Sequence, residues 1–200
     1  MALRAVPQAP GHDGTRQLAL AFLFLVLLAG GAAAALERRW PRLGVAALTL
    51  ALATSLYDCV RYHPLELSYY SPVVGGLPGV VGKFEPTYFW DACTPDVREF
   101  LRTHTPPGGT VLFATNPRNW DYLHRWRQLA PAPHGPGLPE SAIHWYVLQH
   151  RPSQLRAEDH WLIAKATPAY ERRLFGVPLV AVYSEADLRR AVAATRGAAP

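Results

Sequence analysis

The chain has 200 residues, of which 50% are hydrophobic and 18% charged, and its formal net charge is +5. Positive and negative side chains are interspersed, without the basic stripe of a nucleic-acid-binding protein, so no nucleic acid is expected as a partner. The two cysteines form no CxxC pattern, the histidines are scattered, and no phosphate-binding glycine motif stands out, so we expect neither a metal nor a cofactor.

A tail at residues 1–17 leads into two apolar runs without a charged side chain, Leu18–Leu36 and Leu43–Tyr57. As a helix, the first run spans about 28 Å, close to the roughly 30 Å hydrocarbon thickness of a bilayer. The second run is shorter and spans the membrane only if Asp58 lies at the level of the headgroups. The sequence therefore predicts a transmembrane hairpin over residues 18–60, with helices at about 18–36 and 43–60.

Three arginines, Arg38, Arg39 and Arg42, lie between the two runs and form the densest positive cluster beside either of them. The positive-inside rule places such a loop, here Glu37–Arg42, in the cytoplasm, and Trp40 within it is a typical interfacial anchor. Both ends of the chain would then lie outside the cytoplasm. We therefore expect a multi-pass protein of the cell (inner) membrane whose C-terminal domain is extracytoplasmic.

Two other interpretations of the first run stay open. In a signal peptide, Arg4 and Arg16 would form the positive region, Leu18–Leu28 the apolar region and Ala32–Ala35 the cleavage site. The second apolar run argues against this interpretation because a secreted protein needs no second span. Alternatively, the two runs would form a buried helical hairpin in the core of a soluble protein.

Residues 61–93 form an aromatic membrane-proximal segment that is rich in tyrosine, proline and glycine. This composition predicts loops and short elements. Because the segment begins directly after the second helix, it lies near the lipid headgroups, and membrane lipid is an expected partner. Cys59 and Cys93 flank it, and a disulfide between them on the outer side of the membrane is one alternative to two free thiols.

Residues 94–196 are predicted to form a small α/β domain. Thr94 and Pro95 are typical of a helix N-terminus, and Ser184 with Asp187 has the spacing of a capping box. Short apolar runs between helices predict a mixed sheet with some parallel pairing. The predicted elements are a helix from Pro95 to about Thr103, strands at Thr110–Ala114, Ile143–Gln149 and Leu179–Tyr183, a loop at 131–139 and a final helix at Glu185–Thr195.

The run Tyr62–Gly76, YHPLELSYYSPVVGG, carries the most distinctive motif of the chain. It resembles the segment that follows the last membrane helices in bacterial C-type membrane glycosyltransferases, the group similar to protein O-mannosyltransferases and lipid A aminoarabinose transferases. Weaker likeness to that tail is found at residues 84–88, 106–108, 145–149 and 176–183, so that the resemblance covers roughly residues 40–185.

The resemblance implies a transfer of sugar from a polyprenyl-phosphate carrier to an acceptor on the outer face of the membrane. The catalytic carboxylates of such enzymes lie in the first extracytoplasmic loop of a bundle of many helices. Here Arg38 and Arg39 occupy the loop after the first helix, and no Asp-Glu pair is found there. We therefore expect the C-terminal portion of such an enzyme, without catalytic residues of its own and inactive alone. Its expected partners are a polyprenyl-phosphate sugar and a catalytic helix bundle encoded upstream.

Aromatic and ionisable side chains are concentrated in the membrane-proximal segment. Aromatic faces suit sugar rings, and carboxylates accept hydrogen bonds from sugar hydroxyls. The predicted substrate-binding residues are Tyr62, His63, Glu66, Tyr69, Tyr70, Glu85, Tyr88, Trp90 and Asp91.

Other interpretations of the polar and aromatic clusters are structural. The tyrosines and tryptophans also fit an interfacial belt. The clusters at residues 124–127 and 158–161 are interpreted as solvated surface, although they contain acid and base side chains. The alternative function is a membrane-anchored extracytoplasmic binding or scaffold domain without transferase activity.

Overall fold

A computed structural model describes residues 19–87, 92–114, 123–127, 129, 132–133 and 143–196. The chain forms two compact units, one ending at Arg61 and the other beginning at Tyr62.

The first unit contains two helices, α1 at Ala19–Arg39 and α2 at Pro41–Tyr62. They are separated by Trp40 alone, because Pro41 lacks an N–H group and its ring disfavours helical geometry at the preceding residue. The prediction of a six-residue loop at Glu37–Arg42 is therefore wrong, since both helices extend into it. Gly44 permits the tight turn: a Cβ atom there would lie 2.6 Å from the Cα atom of Glu37.

The side chains of this unit are apolar and mostly exposed. Among the described residues, one helix, Pro41–Tyr62, is long and apolar enough to cross a membrane, with a mean hydropathy of 1.6. Only 6% of that stretch is buried, whereas the core helix of a soluble protein is mostly buried. The described part of α1 exposes leucines and Phe24 in the same way. These exposed faces disfavour the interpretation as a soluble core hairpin.

The second unit is built on a mixed sheet, as predicted. The strand order is β2-β1-β3-β5-β4. β1 pairs in parallel with β2 and β3, and β5 pairs antiparallel with β3 and β4. The strands are β1 at Thr110–Phe113, β2 at Ala132–Pro133, β3 at Ile143–Gln149, β4 at Tyr170–Leu174 and β5 at Val177–Ser184. Helices of this unit include α3 at Gly76–Val80, α4 at Pro95–His104, α5 at Ala157–Lys165 and α6 at Glu185–Arg196.

Both faces of the sheet are covered, and the alternation along β5 shows how. Val180 and Val182 lie in one buried cluster, and Ala181 and Tyr183 lie in the other. Successive residues of a strand point to opposite faces, so a strand covered on both sides reads as a continuous apolar run. The second cluster contains buried residues of α5 and α6.

The first cluster is completed by the membrane-proximal segment. Tyr62, Leu65, Leu77 and Val80 are all buried there, together with Val97 of α4. Between them lie short 3-10 turns at Glu66–Ser68 and Pro72–Val74. The segment is thus part of the core of the α/β unit, and its opposite side is exposed.

The N-termini of α5 and α6 are capped by side chains, whereas Thr94 at the start of α4 makes no side-chain cap hydrogen bond. The capping box predicted at Ser184 is confirmed: its Oγ accepts from the Asp187 N–H at 3.2 Å, and Asp187 Oδ2 accepts from the Ser184 N–H at 3.3 Å. At the start of α5, Asp159 Oδ2 accepts from the N–H of Arg156 at 2.9 Å.

The interpretation of residues 158–161 as solvated surface is wrong for Asp159, which is fully buried. Its Oδ1 accepts a hydrogen bond of 2.6 Å from the Tyr146 hydroxyl, which lies on β3. Burial and this bond raise the pKa of Tyr146. Asp159 therefore ties α5 to the sheet as well as capping the helix.

Replacing Asp159 by alanine is expected to lower the free energy of unfolding by about 2–4 kcal/mol, because the buried Tyr146 hydroxyl loses its acceptor and α5 loses a cap. The matched change Asp187→Ala removes a cap at a less buried position and should cost about 1 kcal/mol. Urea denaturation of the full chain in detergent, followed by tryptophan fluorescence, measures both. Equal losses for the two variants would contradict the structural role assigned to Asp159.

Candidate functional site

Polar groups collect at the carboxyl end of β3. β1 and β3 are parallel, so their carboxyl ends meet the same edge of the sheet. In open α/β sheets, ligands bind preferentially at that edge. Gln149 ends β3, and His150 and Arg151 follow directly. Residues 85–87 of the membrane-proximal segment reach the same place, and we call this group of residues the Glu85 site.

The hydroxyl of Thr87 joins the two segments. It donates to the main-chain carbonyl of His150 at 3.1 Å and accepts from Gln149 Nε2 at 2.8 Å. Both the Thr87 and the Gln149 side chains are buried. Because buried polar groups are costly unless they are paired, these bonds fix residues 85–87 against the end of β3.

Glu85 supplies the negative charge of the site. Its Oε1 accepts from the N–H of Ser153 at 2.9 Å, and its main-chain carbonyl accepts from the Tyr70 hydroxyl at 2.5 Å. Its Oε2 lies 4.0 Å from Nε of Arg151, and the two side chains are 20% and 23% exposed. Among the residues that the structure describes, neither of these buried atoms has a hydrogen-bond partner. A carboxylate accepts and a guanidinium donates hydrogen bonds, so the exposed part of each side chain offers complementary groups to a ligand.

His150 contributes a neutral ring. Burial lowers the pKa of its imidazole, the nearby charge of Arg173 lowers it further, and Glu171 opposes this effect. At neutral pH the side chain is therefore uncharged and has one donor and one acceptor nitrogen. Its buried Nε2 has no hydrogen-bond partner within the described part of the chain.

The predicted site residues nearest to α2 fall into two pairs. The Tyr62 ring is buried in the core and meets the ring of Tyr69 edge-to-face, with centroids 5.1 Å apart. His63 Nδ1 lies 2.6 Å from Glu66 Oε1, and both side chains are exposed. A backbone hydrogen bond and the hydrogen bond with His63 hold the pKa of Glu66 below its usual value.

Of the remaining predicted residues, Tyr70 and Glu85 are brought together by the hydrogen bond described above. Tyr88, Trp90 and Asp91 lie outside the described residues. Sequence reasoning missed Thr87 and the run Gln149–Arg151. The available signal was a polar run that directly follows an apolar strand, which is a typical position for ligand-binding groups.

The cysteines and possible metal ligands add no chemistry to this site. Cys59 and Cys93 are both free thiols, so the alternative of a disulfide is not realised. Burial raises the pKa of the Cys93 thiol to about 12. In the part of the chain that the structure describes, no three His, Cys, Asp or Glu side chains lie close enough together to hold a metal ion.

Comparisons with protein-family models, with curated proteins and with solved structures found no match to this chain. Its function is therefore argued from its own residues and their geometry.

Replacing Thr87 by valine should lower the free energy of unfolding by about 1–3 kcal/mol, because the Gln149 amide and the His150 carbonyl lose their partner in a buried place. Thr103→Val is the matched control, since its hydroxyl lies on the exposed face of α4. It should change stability by less than about 0.5 kcal/mol. Denaturant titration of the full chain in detergent measures both changes, and a neutral Thr87→Val would show that this hydroxyl does not hold the site together.

Proposed function

We propose that this chain is the C-terminal membrane and extracytoplasmic portion of a polyprenyl-phosphate-sugar-dependent glycosyltransferase. One observation carries the proposal: the run Tyr62–Gly76, which resembles the tail of such enzymes, begins in the last turn of the candidate membrane helix α2. The same run supplies buried residues of the α/β core. In the tail of such an enzyme, the corresponding segment also begins directly after the last membrane helix.

The membrane part of the proposal is a two-helix hairpin with the Arg38–Arg42 turn in the cytoplasm. Its support is the chemistry at both ends of α2. The guanidinium of Arg39 lies 5.8 Å from the ring centroid of Trp40, and that of Arg61 lies 5.7 Å from the ring of Tyr57. Such aromatic and basic residues are typical interfacial anchors. For the first helix, the support is the sequence alone: Leu18–Leu36 is an uncharged run of 19 residues.

The sugar-binding part of the proposal is assigned to the Glu85 site. The partly exposed carboxylate of Glu85 and guanidinium of Arg151 have the chemistry to hydrogen-bond a sugar hydroxyl, and the neutral His150 directly precedes Arg151 in the sequence. The exposed Tyr69 and the Tyr88, Trp90 and Asp91 side chains are proposed as further contacts with the carrier or acceptor. Catalysis itself is assigned to a helix bundle encoded upstream, because no Asp-Glu pair follows α1 in this sequence.

A second candidate function is a membrane-anchored binding or scaffold domain. It is favoured by the hydrogen bonds of Glu85 with Ser153 and Tyr70, because a structural role is enough to explain them. The two functions differ in whether the Glu85 carboxylate matters for sugar transfer beyond its effect on folding.

The topology is tested by labelling single cysteines in intact cells with a membrane-impermeant maleimide, in a Cys59→Ser background. Ser153→Cys should be labelled and Arg39→Cys should not, because the positive-inside rule places the arginine turn in the cytoplasm. Both positions are exposed in the structure. The reverse pattern would overturn the proposed orientation.

The function is tested with a polyprenyl-phosphate sugar as donor, first on the purified 200-residue chain and then on cells that also express the helix bundle encoded upstream. The chain alone should transfer no sugar. In the complete system, Glu85→Gln should reduce transfer by about tenfold or more, the effect of one lost charge-assisted hydrogen bond. The control Glu99→Gln changes an exposed carboxylate on α4 that pairs with Arg102 and should leave transfer unchanged.

Turnover by the isolated chain would contradict the assignment of catalysis to the helix bundle encoded upstream. A loss of transfer for Glu85→Gln that matches its loss of folded protein would favour the scaffold function instead.

A further inference from the structure

An apolar surface lies on the exposed side of the membrane-proximal segment. Eight large apolar side chains are exposed in the described part of the second unit, and six of them fall between residues 67 and 84. The most exposed is Val73, at 93%. No charged residue or histidine occurs from Leu67 to Gly82. The six side chains, here called the 67–84 surface, are Leu67, Tyr69, Val73, Val74, Val81 and Phe84.

The segment that carries this surface is firmly held from its other side. Leu65, Leu77 and Val80 are at most 1% exposed. The turn around Val74 is tight, because a Cβ atom at Gly79 would lie 2.2 Å from the Val74 carbonyl oxygen. Apolar side chains presented outward on a fixed backbone are typical of an interaction surface.

The two ends of the surface are linked by aromatic contacts. The ring of Phe84 lies 6.2 Å from that of Tyr70, next to Tyr69. Tyr69 in turn packs on Tyr62, the last residue of α2. Residues near position 84 are therefore brought back to the start of the segment, so that the surface is not spread along an extended chain.

The position of the surface in the chain identifies its occupant. α2 is the candidate membrane span and ends at Tyr62, and Leu67 follows five residues later. Even fully extended, five residues reach only about 17 Å. Leu67 therefore lies no more than about 17 Å along the chain from the end of the candidate span, and the interfacial layer on each side of the hydrocarbon is about 5–8 Å thick. The exposed Lys83 and Tyr69 have the chemistry of interfacial residues.

We propose that the 67–84 surface inserts into the boundary between the headgroups and the acyl chains of the membrane that anchors this chain. The occupant is lipid, since the surface offers aliphatic side chains and almost no charge or hydrogen-bonding group through which a protein partner would be selected. The inference rests on the membrane anchor of the proposed function and on no part of its sugar chemistry.

The test uses the full chain in phosphatidylcholine and phosphatidylglycerol vesicles, with the Cys59→Ser change as background. Cys93 is buried and its raised pKa keeps it unreactive toward the label. An NBD fluorophore is attached at Val73→Cys or Phe84→Cys, and the control is Ala194→Cys, an exposed small residue on α6. Lipids with nitroxide groups at the headgroup or at acyl carbon 5 then quench the fluorophore according to its depth.

The Val73 and Phe84 labels should emit at shorter wavelength than the Ala194 label. The lipid with its nitroxide at acyl carbon 5 should quench them roughly two- to threefold more strongly than it quenches the Ala194 label. Both results are expected for side chains about 5–10 Å below the membrane surface. A blue-shifted label that no lipid quenches would show that protein covers the surface, and a label in water would show that nothing does; either result overturns the proposal. Failure of the chain to float with the vesicles would overturn the membrane anchor itself, which separates the two failures.

Discussion

The packing of Tyr62 against Phe175 is the contact on which the start of the α/β unit depends. Their rings meet edge-to-face with centroids 4.9 Å apart. Phe175 and Gly176 form the two-residue turn between β4 and β5, with φ angles of 50° and 81°, a geometry that matches the twist of antiparallel strands. A non-glycine residue at positive φ costs on the order of 1–3 kcal/mol, and the burial of aromatic surface offsets that cost. Because Tyr62 is held in the core, Leu65 and Leu77 of the same segment are buried there as well. The segment then leads to the end of β3 in an ordered conformation.

The apolar strands could be predicted from the sequence because their signal is local. β3 begins and ends as predicted, and β5 was placed correctly but extends further, from Val177 to Ser184. β4 was missed because its sequence, YERRL, is polar: it is an edge strand that pairs with β5 alone, so the sheet imposes no apolar run on it. Helix α5 was missed because Asp159 reads as a surface charge, and only the Tyr146 hydroxyl 13 residues away explains its burial.

The contacts of the candidate site were even harder to predict from local sequence than β4 and α5. Glu85 and its partner Tyr70 were both predicted as site residues, but Ser153 and Arg151 were not. Thr87 contacts Gln149 across 62 positions of sequence, and this contact exists only because the segment packs on the sheet. The Glu85–Arg151 pair is close without forming a hydrogen bond between Oε2 and Nε. A pair kept only for stability would be expected to close, since burying charged atoms without full pairing is costly. The pair therefore contributes less to stability than a closed, hydrogen-bonded pair would.

The surfaces of the α/β unit differ in a way that composition alone does not reveal. On α6, exposed arginines pair along the helix, Arg189 with Glu185 and Arg190 with Asp187, which is the chemistry of a face in water. The 67–84 surface is equally exposed but carries valines and aromatic rings. A solvated face would gain solubility from charge at little cost in stability, so the lack of charge over residues 67–82 indicates an environment in which charge is unfavourable. The proposed insertion into a membrane interface accounts for the packed backbone and the exposed apolar side chains of this segment together.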